Sequence, residues 1–314
     1  MKKALLFVTL ITSTLLTSCK KKTESPFEAN PMAKAIKLER QEITKEDLDR
    51  IPETYRVRVE NGGTIEHITY KSKNYYGDGA ESEKKANVYL PAGYDASDIT
   101  KKYKVLNLMH GIGGDEKEWG MKDDQSLVKK MMDNLTVKGD IEPFIIVTPN
   151  GRSGSDPDPN KTYMAFYKFG QELRNDLIPY MDSHDNTYTD RDHRAMAGLS
   201  MGGMQTINIG ICECLDLISY FGAFSAAPTS YEAAKVAATI SRQPELPVNY
   251  FYNICGTEDS IAYGAHAAAA KLLPRLCPAL EEDKNFRWKE QRGNHDFGIW
   301  NLGFYNFAKI FGGK

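Results

Sequence analysis

The segment 198–203, with the sequence Gly-Leu-Ser-Met-Gly-Gly, constrains the fold more than any other part of the chain. An apolar run precedes it and a helix-compatible run follows it. A serine at the apex of a sharp strand-to-helix turn has strained backbone geometry, and the residues two before and two after it must lack side chains. Gly198 and Gly202 meet that requirement. The pattern predicts a nucleophile elbow with Ser200 as nucleophile, and the amide of Met201 would face an anion forming on a substrate.

The N terminus has the pattern of an export signal. Met1-Lys2-Lys3 is followed by an apolar run over 4–11 that is too short to span a membrane. The run ends in Leu16-Thr17-Ser18-Cys19, which resembles a bacterial lipobox, where cleavage precedes the cysteine and the cysteine is acylated. Residues 1–18 are therefore predicted to be a lipoprotein signal peptide and Cys19 a lipid attachment site. An exported, membrane-anchored bacterial lipoprotein, periplasmic or at the cell surface, is expected; an ordinary signal peptide with an incidental cysteine is the alternative.

Composition and charge characterise the remainder of the chain. Residues 19–49 are polar and charged, which indicates a lipid-anchored tether. Residues 50–314 suit one large α/β domain better than two small ones. Because 40 Lys plus Arg are balanced by 42 Asp plus Glu, for a net charge of −2, no nucleic-acid surface is indicated.

Four cysteines remain once Cys19 is set aside: Cys212, Cys214, Cys255 and Cys277. The Cys212-x-Cys214 spacing lacks the pattern and the partner histidines of a zinc site, so no metal is expected. We interpret the four as core residues or as containing one disulfide bridge.

Strands alternate with helices along the domain, which predicts an α/β fold with a doubly wound, mostly parallel sheet flanked by helices. The predicted strands are 55–59, 64–71, 85–90, 105–109, 144–148, 194–198, 220–225, 248–255 and 286–291. The predicted helices are 124–139, 169–184, 265–276 and 297–311, and a short helix at 44–50 is possible.

A serine nucleophile needs a base, because its hydroxyl is almost wholly protonated near neutral pH. In doubly wound hydrolases the partners follow in the order Ser, acid, His, each on a loop at the carboxyl end of a strand. Two histidines follow Ser200: His266 in an alanine-rich helix, and His295 in a polar loop just after the last strand. His295 is the predicted base. His110 precedes the elbow and is expected to have a structural, hydrogen-bonding role.

The orienting acid must lie between the nucleophile and the base, at the end of a strand. Asp259 occupies that position after the strand 248–255. Glu258 is its rival, and Asp283 and Asp296 are weaker ones.

The oxyanion hole should combine the Met201 amide with an amide from a loop after an earlier strand. The loop His110-Gly111-Ile112-Gly113-Gly114 follows a buried strand, and its glycines let the backbone approach a substrate. Ile112 is the predicted second donor.

Five segments together resemble the feruloyl-esterase branch of carbohydrate esterase family 1, the esterase-D-like α/β-hydrolases. They are 110–114, 146–150, 197–203, 255–260 and 293–297. The resemblance covers about residues 85 to 311. It implies an α/β-hydrolase fold, Ser200, Asp259 and His295 as the triad, and oxyanion amides from Ile112 and Met201. Glu258 stands where family members often carry Asn, and this second carboxylate would perturb the titration of the triad.

The resemblance also implies a serine carboxylesterase that releases ferulate and related hydroxycinnamates from arabinoxylan by two-step acyl transfer, without a cofactor. A phenolic acyl group needs an apolar, aromatic-lined slot. Trp119 and Trp300 are the candidate linings, and the polar stretch 151–159 is a candidate rim for the sugar. Feruloylated or acetylated plant polysaccharides or oligosaccharides are the expected partners, with a membrane contact through the lipid.

Three alternatives stay open at this stage. The first is another carboxylesterase activity, acting on acetyl-xylan or small acyl esters. The second is an acyltransferase on the same fold, like the mycolyltransferases. The third is a lipid-anchored glycan-binding protein with an inactive hydrolase fold, against which the intact Ser, Asp and His set argues.

Overall fold

A single eight-stranded sheet forms the centre of the protein, in the order β1-β2-β4-β3-β5-β6-β7-β8. The computed structural model describes residues 47–155 and 158–313. β1 and β2 pair antiparallel, β2 pairs antiparallel with β4, and all pairs from β4 to β8 are parallel. The predicted α/β fold with a mostly parallel, doubly wound sheet is confirmed. The predicted signal peptide, Cys19 and the tether as far as residue 46 lie outside the described residues.

The strands are β1 (Thr64–Lys73), β2 (Glu81–Leu90), β3 (Val105–Met109), β4 (Ile145–Pro149), β5 (Arg194–Leu199), β6 (Tyr220–Phe224), β7 (Tyr250–Gly256) and β8 (Phe286–Gln291). The helices are α1 (Leu127–Val137), α2 (Phe169–Glu172), α3 (Ile178–His184), α4 (Met201–Gln205), α5 (Ala233–Ser241), α6 (Tyr263–Leu276) and α7 (Phe297–Phe311). A π-helical segment, Leu173–Leu177, joins α2 to α3, and another, Thr206–Ile211, continues α4. Three 3-10 helices span Glu53–Tyr55, Pro159–Lys168 and Arg191–His193.

The burial of each strand follows from its place in the sheet. The central strands β3, β4, β5 and β7 are buried along their whole length, as expected for parallel strands covered by helices on both faces. The outermost strand β1 alternates exposed with partly or fully buried positions over much of its length. One core cluster contains residues of α2, α5 and α6, and a second contains residues of α1 and α7.

The register of the strands brings the segments with the candidate catalytic residues to the same edge of the sheet. Met109, the last residue of β3, pairs with Gly198, and Leu199 at the end of β5 pairs with Phe224. Gly256 at the end of β7 pairs with Gln291 at the end of β8. Because the carboxyl ends of parallel strands meet at the same edge, the loops that follow β3, β5, β7 and β8 lie together there.

Two local predictions need correction. The strand expected at 55–59 is absent, since Glu53–Tyr55 forms a 3-10 helix and the residues after it do not pair with another strand. Residues 47–50 are not helical, and the rest of the possible helix at 44–50 lies outside the described residues. Helix α5 and the 3-10 helix at Pro159–Lys168 were not predicted.

The last residues of the predicted tether are bound to the domain. Asp47 forms an ion pair with Arg287 at 2.6 Å, and Asp49 forms one with Lys289 at 2.6 Å. The Leu48 amide donates to the side chain of Asn306 at 3.2 Å. Residues 47–49 therefore pack against β8 and α7 rather than standing apart from them.

Cysteine and membrane features complete the description. Cys212, Cys214, Cys255 and Cys277 are all free thiols, so the bridge considered from the sequence does not form among them. Within residues 47–155 and 158–313, no helix has the length and apolar character needed to cross a membrane. The same residues contain no cluster of three or more His, Cys, Asp or Glu side chains placed to hold a metal ion.

Candidate active site

Ser200 occupies a strained turn between β5 and α4. Its φ of 50° and ψ of −113° lie outside the region that side chains prefer. A Cβ on Gly198 would lie 2.6 Å from the carbonyl carbon of Gly202, and a Cβ on Gly202 would lie 2.5 Å from the carbonyl oxygen of Met109. The Ser200 amide donates to the carbonyl of Phe224 at 2.9 Å. Close packing against β3 and a hydrogen bond to β6 therefore hold the turn in its strained shape.

Ser200, His295 and Asp259 form one line of hydrogen bonds. The Oγ of Ser200 lies 2.9 Å from Nε2 of His295, and Nδ1 of His295 lies 2.7 Å from Oδ2 of Asp259. The serine comes from the end of β5, the aspartate from the loop after β7 and the histidine from the loop after β8. The fold thus brings together residues separated by 95 and 36 positions in the chain.

The environment of Asp259 keeps it ionised. Burial raises the pKa of this carboxyl, but hydrogen bonds from the Ala262 amide and from His295 outweigh that effect and lower the pKa overall. Oδ1 accepts from the amides of Ile261 at 3.0 Å and Ala262 at 2.8 Å. Because an ionised carboxylate can only accept, Nδ1 of His295 carries the proton and Nε2 presents its lone pair to Ser200.

The rival acids are engaged elsewhere. Glu258 is exposed and pairs with Arg292 at 2.9 Å. Asp283 pairs with Arg287 at 2.5 Å, and Asp296 caps α7 by accepting from the Gly298 amide at 2.8 Å.

The rival histidine His266 is a buried, neutral core residue. Its Nδ1 accepts from the Ala226 amide at 3.1 Å, and Nε2 lies 3.1 Å from Oδ1 of Asn253. Burial lowers its pKa to about 3. With both ring nitrogens occupied, His266 is not available to Ser200.

The two predicted oxyanion donors belong to segments next to Ser200. Met201 follows Ser200 directly and begins α4, so its amide is one of those that a helix leaves without an intrahelical acceptor. Gly111 approaches the elbow so closely that a Cβ on it would lie 3.5 Å from Cβ of Ser200. Ile112, the next residue, is 56% exposed.

The two predicted tryptophans have different surroundings. Trp119 is only 3% exposed, and its indole N–H donates to the carbonyl of Met109 at 3.0 Å. It therefore supports strand β3 from within the core, and its expected role as a substrate contact stays a prediction. Trp300 is 8% exposed and meets the His295 ring edge-on at 5.0 Å, so it packs against the candidate base.

The Esterase family model matches residues 78–292, which include the elbow and Asp259. The chain belongs to this family. A solved CE1 ferulic acid esterase from the anaerobic fungus Anaeromyces mucronatus is 30% identical, with a TM-score of 0.70 over 84% of this chain and 97% of that one. The feruloyl esterase module from Clostridium thermocellum, solved with sinapinate, is 27% identical, with a TM-score of 0.70 over 84% and 93% of the two chains.

Curated relatives of this esterase are longer proteins. Endo-1,4-beta-xylanase Y of Acetivibrio thermocellus is 32% identical over 244 residues, which cover 72% of this chain and 21% of that protein. An endo-1,4-beta-xylanase/feruloyl esterase of Xylanibacter ruminicola is 32% identical over 202 residues, 64% of this chain and 26% of that protein. The esterase matches about a fifth to a quarter of these two relatives. Together with the solved structures, they show that the matched domain is a serine carboxylic ester hydrolase.

Sequence reasoning missed several side chains near the site of this esterase. Ile261, which lies two residues after Asp259, is more than half exposed, as is the side chain of Ile112, a residue that the sequence predicted only as an oxyanion donor. Tyr163 and Met164 are also exposed, on the 3-10 helix that carries Phe166, whose ring meets the His110 ring edge-on at 5.3 Å. Lone apolar residues in loops give no periodic signal, so the sequence offered no means of finding them.

Proposed function

We propose that this esterase hydrolyses hydroxycinnamate, and in particular feruloyl, esters on plant cell-wall arabinoxylan through an acyl-enzyme on Ser200. The observation that carries the mechanism is the unbroken line of hydrogen bonds from Ser200 through His295 to Asp259, at 2.9 Å and 2.7 Å. That order and geometry are those of a nucleophile, a general base and an orienting acid.

The first half-reaction forms the acyl-enzyme. Nε2 of His295 takes the hydroxyl proton as Oγ of Ser200 bonds to the ester carbonyl carbon, and Asp259 stabilises the resulting imidazolium. The carbonyl oxygen becomes an oxyanion that accepts from the amides of Ile112 and Met201. His295 then returns the proton to the departing sugar oxygen as the ester bond breaks.

The second half-reaction releases the acid. Water enters where the alcohol left, gives a proton to His295 and bonds to the acyl carbon. The bond to Oγ breaks, Ser200 recovers its proton from His295, and the hydroxycinnamate departs. The steps need only the side chains and amides named here.

Two observations support a hydroxycinnamate on a saccharide as the substrate. The similar solved chains are ferulic acid or feruloyl esterases, one of them with bound sinapinate. The exposed apolar side chains of Ile112 and Ile261 offer contact area for an aromatic acyl group.

A groove of about 490 Å³, lined mostly by polar and charged residues, supports the saccharide part of the proposal. Arg152 lines this groove and also donates to the carbonyl of Gly114 at 2.8 Å. Gly154 and Ser155, from the stretch predicted as a sugar rim, line it too, while residues 156–157 of that stretch lie outside the described residues. Mixed donors and acceptors of this kind suit the hydroxyl groups of a sugar chain.

Product analysis with feruloylated arabinoxylan, acetylated xylan and p-nitrophenyl acetate tests this proposal. Wild type should release ferulate, and Ser200→Ala should release none from any substrate. Acetate release without ferulate release would replace the feruloyl substrate with an acetyl one, and transfer to an added alcohol would indicate an acyltransferase. A folded wild-type protein that a fluorophosphonate fails to label at Ser200 would overturn the mechanism and favour the glycan-binding alternative.

Membrane attachment through Cys19 is part of the same proposal. Its support is the sequence pattern of the first nineteen residues alone. Incorporation of a labelled fatty acid by the full chain, and its loss in Cys19→Ser, is the expected result; equal labelling of the two proteins would contradict it.

A further inference from the structure

His110 has a fixed hydrogen-bonding arrangement next to the candidate oxyanion loop. Nε2 accepts from the Gly151 amide at 2.9 Å, and Nδ1 lies 2.7 Å from the carbonyl oxygen of Gly111. An amide can only donate and a carbonyl can only accept. The ring is therefore neutral, with its proton on Nδ1 pointing at Gly111. Burial, the main cause, lowers the pKa of His110 to about 4, so the ring keeps this form near neutral pH.

The bond from Nδ1 acts on the peptide group that contains the Ile112 amide. The carbonyl of Gly111 and the N–H of Ile112 belong to one planar, trans peptide, so they point in opposite directions. Fixing the carbonyl against the His110 ring therefore fixes the direction of the Ile112 N–H. The Gly114 amide donates to the same carbonyl at 3.2 Å. Within the described part of the chain, the Ile112 N–H has no hydrogen-bond acceptor of its own.

Neighbouring peptides of the loop are held by other side chains. Glu118 accepts from the Gly111 amide at 2.5 Å. Arg152 donates to the carbonyls of Ile112 and Gly114, and its guanidinium stacks 4.8 Å from the centre of the Phe166 ring. Each of these peptides is thus held by a side chain, while the Ile112 N–H keeps no acceptor among the described residues.

We propose that His110 is a positioning residue, which aims the Ile112 amide at the oxyanion by holding the carbonyl of Gly111. This inference rests on the proposed serine mechanism. It assigns His110 no contact with substrate, because the side chain is 1% exposed and both ring nitrogens are occupied. Its contribution is to transition-state stabilisation, since an oxyanion donor acts mainly on the charge that develops during reaction.

Two substitutions separate the two bonds of the ring. Asn places its amide nitrogen where Nδ1 lies, so His110→Asn keeps a donor for Gly111 and loses the acceptor for Gly151. Gln places its amide oxygen where Nε2 lies, so His110→Gln keeps the acceptor for Gly151 and loses the donor for Gly111. If the ring served only to join the two loops, Gln would be the better replacement.

Steady-state hydrolysis of p-nitrophenyl acetate gives the first readout. Because loss of one oxyanion donor typically costs about 10²- to 10³-fold in kcat, we expect His110→Gln to lose about 100-fold in kcat with little change in KM. His110→Asn should stay within about tenfold of wild type. Binding of an arylboronic acid, whose adduct with Ser200 is a tetrahedral anion, should weaken in parallel, while binding of the product acid should not.

The assignment would be overturned if kcat of His110→Gln equalled or exceeded that of His110→Asn. It would also be overturned if the product acid lost as much affinity as the arylboronic acid. If either variant does not fold, the wild-type amide spectrum decides: the Ile112 proton should move downfield when the boronic acid binds, and its failure to move while Met201 does would refute the proposal. Using p-nitrophenyl acetate separates this test from the feruloyl question. A Ser200→Ala control that stays active would instead mark failure of the serine mechanism itself.

Discussion

Asp259→Asn should abolish nearly all activity while leaving the fold intact, and the structure explains why. Oδ1 of Asp259 accepts from two backbone amides, those of Ile261 and Ala262. These amides can only donate, so the oxygen of the new Asn must stay with them. The Asn NH₂ group then faces Nδ1 of His295, which must become an acceptor. The proton of the ring moves to Nε2, where it faces Ser200.

This tautomer cannot act as a base towards Ser200, because Nε2 no longer has a free lone pair. The same wrong-tautomer substitution in the Ser-His-Asp template lowers kcat about 10⁴-fold, which corresponds to about 5.5 kcal/mol of barrier. We expect a similar loss here, with KM little changed. Glu258→Gln is the matched control, because Glu258 is the adjacent carboxylate and pairs with exposed Arg292. It should change kcat less than about twofold.

The assay is steady-state hydrolysis of p-nitrophenyl acetate and methyl ferulate by wild type and both variants, with thermal unfolding as a check on folding. Asp259→Asn activity within tenfold of wild type would refute the reasoning. A larger loss in Glu258→Gln than in Asp259→Asn would transfer the role of orienting acid to Glu258.

Two further predictions concern stability. Burial lowers the pKa of His266 to about 3 in the native state. Between about pH 6.5 and pH 3 the imidazole therefore binds a proton in the unfolded chain but not in the native state, so the free energy of unfolding falls as the pH falls through this range. Between about pH 6 and pH 4, His266→Gln should reduce the dependence of the unfolding free energy on pH by about 1 kcal/mol per pH unit. Urea unfolding at several pH values measures this dependence, and equal slopes against pH in wild type and variant would contradict the prediction. Gly202→Ala should lower the free energy of unfolding by about 3 kcal/mol or more, because its Cβ would lie 2.5 Å from a backbone oxygen. Gly264→Ala is the matched control in α6: its Cβ would meet nothing within 4 Å, so thermal unfolding should show a gain in stability of up to about 1 kcal/mol. Equal melting temperatures for the two alanine variants would contradict the steric argument.

The sequence predicted the candidate nucleophile, acid and base because each lies in a short segment with its own local signal. Gly198 and Gly202 flank Ser200, and Asp259 and His295 each follow a recognisable apolar strand. The chain order required of such a hydrolase then reduced the candidate bases to His266 and His295. The fold class followed from the same alternation of strands and helices.

Other features depend on contacts that no local pattern contains. Alternation of Tyr55, Val57 and Val59 resembled a strand, but a strand also needs a partner, and these residues have none in the described sheet. The loop position of Trp119 alone predicts a lining of the acyl slot, and no signal in the sequence indicates that it is buried and bonds to the carbonyl of Met109. The arrangement of the His110 ring includes a hydrogen bond from the Gly151 amide, 41 residues away, which forms only when the two loops pack together.

The open sheet has a consequence for the behaviour of the protein at high concentration. β1 and β8 are its outer strands, and each pairs on one side only among the described strands. Both carry charged side chains, including Glu66 and Lys71 on β1 and Arg287 and Glu290 on β8. A second molecule that added a strand at either margin would have to desolvate these charges, which disfavours edge-to-edge aggregation. We therefore expect the protein to stay dispersed at high concentration even though its sheet is open at both margins.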